Sequence, residues 1–410
     1  MTHIVIAGAG HAGSAVAAAL RQYGFDGQLT LVGEEQVLPY QRPPLSKGWL
    51  LGEVEQDDIA LRPAAFYDEQ KVALQLGRRI KRLERQAQTL HFDAGPALHY
   101  DRLVIATGSC PVCPPIPGAD NDGVLMLRSV RDAARLKAAL RPGARLVVIG
   151  GGYIGLEVAA SARQLGASVT VVERAPRVLA RVAHAELSAF LTRVHTERGV
   201  RIETNRCVAR IDAVGGAVRQ VTLDDGRVLP CDLVLVGVGG RPNDGLARAA
   251  GLDCDDGIVV DLQARTSDPH IYAIGDVTRR PLPLYERMAR LESVPNATEQ
   301  ARQVACAITG RPAPAPEVPW QWSDQYDMKI QIAGHPYDAD EVVRRTPAGD
   351  ANALALFHFR GERLLAVEAV NAPAEFMAGR QLIARRAGLD KQKLSDVSLT
   401  MKQLINQGGQ

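Results

Sequence analysis

Two short stretches dictate what this chain folds into. "HIVIAGAGHAGSAVAAAL" (residues 3–20) is an apolar run, then Gly8-x-Gly10-x-x-Gly13, then Val16, Ala19, Leu20 and Tyr23 at helical spacing. "RLVVIGGGYIGLEVAASA" (145–162) repeats the pattern with Gly150, Gly152 and Gly155. One isolated Gly-x-Gly-x-x-Gly says little, but each copy here lies between a predicted strand and a predicted helix. That context lets a pyrophosphate approach the helix N-terminus closely. An acidic residue closes each following strand and suits ribose hydroxyls: Glu34 and Glu35 in "LTLVGEE", Glu173 in "SVTVVER".

The duplication extends further. "ALHYDRLVIATG" (97–108) and "VLPCDLVLVGVG" (228–239) both end a stretch of short alternating strands and run into a glycine turn. The expected fold is therefore α/β, with two Rossmann-like units, each a βαβ unit, a small antiparallel meander and a return strand. A chain with two dinucleotide sites suggests electrons passing between two dinucleotides, the natural pair being a nicotinamide and a flavin. At 410 residues it is too long for one ordinary domain.

Composition removes other classes. A net charge of +2 gives no field for nucleic acid. The apolar runs are broken by glycine and fall short of the roughly 20 residues of a membrane span. The chain enters its first strand after two residues, which leaves no room for a secretory leader. Six cysteines are sparse. The reading is a cytoplasmic protein with reduced thiols, no membrane partner and no metal site.

Glu173 favours NADH, because a carboxylate there repels a 2′-phosphate; Arg174 and Arg177 just after it temper that preference. "TSDPHIYAIGDV" (266–277) ends in Gly275-Asp276. Taken locally, Asp276 reads as a turn or helix-cap residue as readily as a ligand for the ribityl chain of a flavin.

The motifs "GAGHAG", "PYQRPPLSK" (39–47), "ATG" (106–108), "VVIGGGYIGLEVAA" (147–160), "AIGDV" (273–277), "ESVPNATEQA" (292–301) and "PWQWSDQY" (319–326) go further. With them the chain resembles, over nearly its whole length, the FAD-dependent NADH:ferredoxin reductases of bacterial oxygenase systems. The resemblance implies an FAD-binding domain in two segments, 1–109 and 240–318. It implies an inserted NADH-binding domain, 110–239, and a C-terminal α/β docking or interface domain, 319–410. FAD would lie on Gly8, Gly10, Ala12 and Gly13, with Glu34 on its ribose. Arg42, Ile80, Ala106, Thr107, Gly108 and Arg128 would flank it, with Asp276 on the ribityl chain and Val294 at the ring edge. NADH would lie on Gly150, Gly152, Tyr153, Ile154, Gly155, Glu157, Glu173, Arg174, Gly237 and Gly239. Lys47, Glu157 and Trp322 would be the catalytic set at the ring. Without the motif match, Lys47 would read as a solvated loop lysine.

The implied reaction takes a hydride from NADH onto FAD and passes single electrons outward. The chain has no iron–sulfur cysteine set, so the expected acceptor is an external [2Fe–2S] ferredoxin serving a cytochrome P450 or a ring-hydroxylating oxygenase. Another one-electron acceptor (rubredoxin, a nitrite reductase partner or a radical) and a flavoprotein that only signals remain open. A thiol relay is disfavoured, because "QVLPYQRPPLSKGWLLG" holds no cysteine. Trp320 and Trp322 are expected on opposite faces of an extended segment, one in the core and one at the flavin. "RMARLES" (287–293) and "VVRRT" (342–346) are candidates for steering an acidic ferredoxin, or are solvated faces. Arg241 has no evident role. "GSCPVCPP" (108–115) carries a Cys-x-x-Cys pair, yet its prolines argue against the helix start that would activate a thiol. It is expected to be a domain crossing, not a redox centre.

Overall fold

The computed structural model describes residues 1–347 and 352–407. The strand His3–Ala7 passes through the first glycine turn into the helix His11–Gln22, and the strand Gln28–Val32 returns parallel beside it. They belong to a five-stranded parallel sheet ordered Ile271–Ala273, Arg102–Ile105, His3–Ala7, Gln28–Val32, Val72–Gln75. The second copy builds the same object. Its sheet runs Arg201–Thr204, Ser168–Glu173, Arg145–Ile149, Leu233–Val236, Val124–Leu125, again all parallel. Both sheets are covered on their two faces, which is why their strands read as unbroken apolar runs.

Each unit has its antiparallel meander where expected. Ile80–Glu84, Thr89–Phe92 and Leu98–His99 precede the return strand Arg102–Ile105. Val208–Val214, Ala217–Leu223 and Val228–Pro230 precede Leu233–Val236. The copies differ at the outer edge. The first sheet takes its edge strand, Ile271–Ala273, from later in the chain, whereas the second takes Val124–Leu125 from earlier.

The glycine turns show why no other residue fits. Gly8 sits at φ +127°, and a Cβ there would lie 2.2 Å from the Ala106 carbonyl oxygen. Gly150 repeats this at φ +106°, 2.4 Å from Gly237 O. Gly13 and Gly155 let each helix touch its own turn: an added Cβ would meet Gly8 O at 1.9 Å and Gly150 O at 2.3 Å.

Between the two units the chain crosses on a two-stranded antiparallel ribbon. Ser109–Pro111 leaves and Gly240–Pro242 returns, with Cys110 opposite Arg241. Beyond it, the helix Val294–Thr309 starts at a Ser293 cap with Pro295 in its first turn. Its Ala297, Ala301 and Val304 share a core with Val16 and Leu20 of the first helix.

The last part is a five-stranded antiparallel sheet ordered Trp320–Gln325, Met328–Gly334, Arg363–Val370, Leu354–Arg360, Glu341–Arg345. One face packs Phe357 and Val367 under Phe376 and Leu382 of the helix Pro373–Arg385. The other presses Met328, Ile330 and Leu356 into the core of the second unit. Residues 348–351 and 408–410 of the expected 319–410 segment lie outside the described residues. Among the described residues no helix is long and apolar enough to cross a membrane.

Candidate functional site

One continuous cleft of about 2560 Å³ joins the two glycine turns. Pockets for single small ligands run to roughly 1,000 Å³, so this one has room for two extended molecules. Its walls include Gly8, Gly10 and Ala12 of the first turn and Gly150, Gly152, Tyr153 and Ile154 of the second. Glu34, Arg42, Lys47, Ile80, Ala106, Thr107, Gly108, Arg128, Glu157, Glu173, Arg174, Gly237, Gly239, Asp276, Val294 and Trp322 also face it. Gly13 and Gly155 stand behind the wall, where they seat the helices.

The first end suits a dinucleotide. A Cβ on Gly10 would meet nothing within 4 Å, so the helix N-terminus opens onto free space. Arg42 and Arg128 supply positive charge beside it. Arg42 is anchored through Glu35 (Nη2 to Oε1, 2.8 Å) and donates to the Arg128 carbonyl at 2.5 Å. Asp276 Oδ2 accepts from Arg128 Nη2 and from Ser109 Oγ, both at 3.1 Å, so it is more than a helix cap. Glu34 is exposed, ion-paired with Arg79, at the rim. His11, unremarked in the sequence, lies at the same turn. Burial, with Arg42 beside it, pushes its pKa down to about 4, so it adds no charge near neutral pH.

The second end is built around Glu173. Its two oxygens accept from Gly151 N and Ala175 N, each at 2.7 Å. The carboxylate is thus fixed to the glycine turn with lone pairs to spare for hydroxyl donors. Ile154 is half exposed within the cleft, an apolar side chain left open on its wall. These residues fit an adenine dinucleotide at each end.

Lys47 and Glu157 meet between the ends. Lys47 closes the 3-10 turn Pro43–Ser46, and Glu157 lies one turn into the helix Tyr153–Gln164. Nζ stands 2.7 Å from Oε2, with the lysine 18% and the glutamate 6% exposed. Ser46 Oγ donates to the same oxygen at 2.5 Å, and Ser323 Oγ donates to Oε1 at 2.6 Å. Ser161, one helical turn after Glu157, donates to Ser46 O at 2.7 Å and ties the lysine loop to that helix. Ser46 and Ser323 lie within the quoted motifs, yet nothing local marks them as partners of Glu157.

Two expectations need correction. Trp320 and Trp322 share a strand and hence a face, because side chains alternate with a period of two. Their rings sit 5.6 Å apart, and Trp320 also packs on Phe376 at 5.7 Å. The "VVRRT" cluster is no free basic patch: Arg345 is buried against Glu375 and donates to Leu394 O, while Arg344 pairs with Glu186. In "RMARLES", Arg287 pairs with Asp338, and Arg290 with Asp256 and Glu292. Arg241 now has a place, its Nε 3.3 Å from Cys110 Sγ. Cys110 sits in the extended ribbon, not at a helix start, and all six cysteines are free.

Residues 2–301 match the pyridine nucleotide-disulphide oxidoreductase family and residues 320–405 the reductase C-terminal family. The chain is 50% identical over 395 residues to a probable ferredoxin reductase, CtmF, of Castellaniella defragrans, covering 96% of each. It is 40% identical to putidaredoxin reductase CamA of Pseudomonas putida, covering 98% of this chain and 96% of that one. A crystal structure of the covalent putidaredoxin reductase–putidaredoxin complex superposes with a TM-score of 0.96 at 39% identity, over 99% of both chains. The chain therefore belongs to the pyridine nucleotide-disulphide oxidoreductases, in the ferredoxin reductase branch that carries the reductase C-terminal domain.

Proposed function

We infer that this protein is an FAD-dependent ferredoxin–NAD(+) reductase of an oxygenase electron-transfer system. The observation that carries the reading is the single cleft with a dinucleotide-type glycine turn at each end and the Lys47–Glu157 pair between them. Bound FAD supplies the conversion between a two-electron hydride donor and one-electron acceptors. Overall, NADH and two oxidised ferredoxins give NAD(+), two reduced ferredoxins and a proton.

The chain's own residues position and polarise. The first turn, Arg42 and Arg128 would hold the diphosphate of FAD, with Glu34 toward its ribose and Asp276 toward its ribityl chain. The second turn and Glu173 orient NADH, and Ile154 offers an apolar surface to the nicotinamide end. Lys47, fixed by Glu157, would supply a positive charge beside the flavin ring and favour its reduced, negatively charged form. Trp322 lines the cleft from the C-terminal sheet, so electrons leave toward that side. No thiol step is needed: the lysine loop holds no cysteine, and Cys110, which does wall the cleft, sits in the extended strand Ser109–Pro111 rather than at a helix start.

The division 1–109 with 240–318, 110–239 and 319–410 follows the two parallel sheets, the crossing ribbon and the antiparallel sheet. A cytoplasmic location is supported by the six free cysteines. The acceptor is a [2Fe–2S] ferredoxin of a P450 or ring-hydroxylating system.

The test is anaerobic mixing of the purified yellow protein with NADH and then a ferredoxin. Loss of the flavin absorbance on NADH, followed by its return as the ferredoxin bleaches, is the expected result. A flavin that NADH does not reduce, or that returns only with oxygen, overturns it.

A further inference from the structure

The carboxylate of Glu157 is held from three directions, and one of them leads away from the cleft. Ser323 Oγ, which donates to Glu157 Oε1 at 2.6 Å, accepts from Gln325 Nε2 at 3.1 Å. Gln325 Oε1 lies 2.9 Å from His195 Nε2. Ser323, Gln325 and His195 are all buried, at 1%, 0% and 0% exposure. The chain joins the C-terminal sheet to the helix Ala185–Glu197 and ends on the carboxylate beside Lys47.

Only one direction satisfies it. Ser323 has a single proton, and the carboxylate takes it, so the serine oxygen must accept from an N–H. The Gln325 amide therefore turns its nitrogen to Ser323 and its oxygen to His195. The imidazole must then carry its proton on Nε2. Its Nδ1 is buried without a partner, so a second proton there would find no acceptor. Arg198 is the charged group beside the ring, the Tyr326 ring packs 5.2 Å away, and burial lowers the histidine's pKa. Flipping the amide would leave Ser323 with two acceptors for one proton.

We propose that Ser323, Gln325 and His195 are positioning residues: a one-way donor chain that holds Glu157, and through it Lys47, at the hydride-accepting end of the cleft. The proposal rests on the reductase reading above. It makes the C-terminal sheet part of the reductive half-reaction and not only a face for the electron acceptor. Ser323 adjoins Trp322, so the strand that lines the exit also sets the charge at the entry.

The experiment compares the holoprotein with Ser323→Ala, Ser323→Thr, Gln325→Glu and His195→Asn. Each is read by anaerobic stopped-flow reduction with NADH, by the midpoint potential of the bound flavin, and by 15N NMR of the labelled imidazoles. Ser323→Ala is expected to lower the limiting rate of reduction roughly 10-fold with the NADH dissociation constant unchanged, and to make the potential more negative. Ser323→Thr keeps the hydroxyl and restores the rate. Gln325→Glu is nearly isosteric but only accepts, so it draws the serine proton away and reproduces the Ser323→Ala loss. His195→Asn keeps a donor and stays closer to wild type. In the parent, His195 shows the Nε2–H tautomer.

Ser323→Ala or Gln325→Glu reducing at the parent rate, Ser323→Thr no faster than Ser323→Ala, or an Nδ1–H tautomer for His195 overturns the proposal. A parent protein that NADH does not reduce overturns the reductase reading instead. If Ser323→Ala does not fold, Gln325→Glu and the His195 tautomer still decide.

Discussion

Lys47 shows how far a single side chain depends on its surroundings. In sequence it is one more loop lysine, while in the fold its side chain is four-fifths buried against a carboxylate that also accepts from the Ser46 and Ser323 hydroxyls. Such a charge is worth far more in a cleft than in water. Lys47→Ala is expected to slow flavin reduction by NADH roughly 100-fold, measured by anaerobic stopped flow. A rate near that of the parent removes Lys47 from the mechanism. The thiols make the opposite case. Cys110 is packed against Arg241 in a strand and Cys113 is exposed beside prolines, so neither sits where a helix dipole would activate it. The Cys110→Ser, Cys113→Ser double variant should keep NADH:ferredoxin turnover within about twofold of wild type: Cys113 is exposed, and at Cys110, which lines the cleft, a serine hydroxyl is close in size and still accepts from Arg241.

At the level of elements, the glycine turns carry both architecture and binding. Gly13→Ala and Gly155→Ala each drive a Cβ into a backbone oxygen that cannot move without its strand. Overpacking of this kind costs about 1–3 kcal/mol. The loss should appear as a lower denaturant midpoint, and in Gly13→Ala also as poorer FAD retention. A second element contact is charged: Arg280 and Glu299 pair at 2.8 Å while both are buried, joining the strand Thr278–Leu282 to the helix Val294–Thr309. Glu299→Ala leaves the buried guanidinium with Asn296 but without its counter-ion, and should destabilise by about 3–5 kcal/mol in urea titrations.

These elements also mark the limit of what the sequence discloses. The duplicated units are legible because a turn, a strand and a helix are local events, and glycine is required at each turn. Lys47 and Glu157 were legible through their motifs, but Ser323, Gln325 and His195 were not. Their roles depend on a strand arriving from more than 150 positions away. Arg345 looked like surface because an Arg-Arg run usually is, but its burial depends on Glu375 in a later helix. The tryptophan pair was legible in principle, since an extended segment with a period of two puts both rings on one side.

For the whole molecule, the arginines weighed as steering candidates are engaged with local carboxylates. An electrostatic contribution to docking must therefore come from the summed field at the exit face, not from one patch. Reduction of an acidic ferredoxin should slow severalfold as ionic strength rises, while flavin reduction by NADH changes little. Ferredoxin reduction that is indifferent to salt rules steering out.

The paired ribbon has a consequence for engineering. Cys110 and Arg241 are cross-strand partners, so the two ends of the intervening segment lie one strand spacing apart. Everything from Val112 to Gly239 can thus be lifted out and replaced as a cassette without stretching the remainder of the chain. A nicotinamide module of different coenzyme preference, spliced in at these two adjacent points, would change the electron donor provided that it carries Arg128, Glu157 and His195 and the apolar face that receives Met328, Ile330 and Leu356.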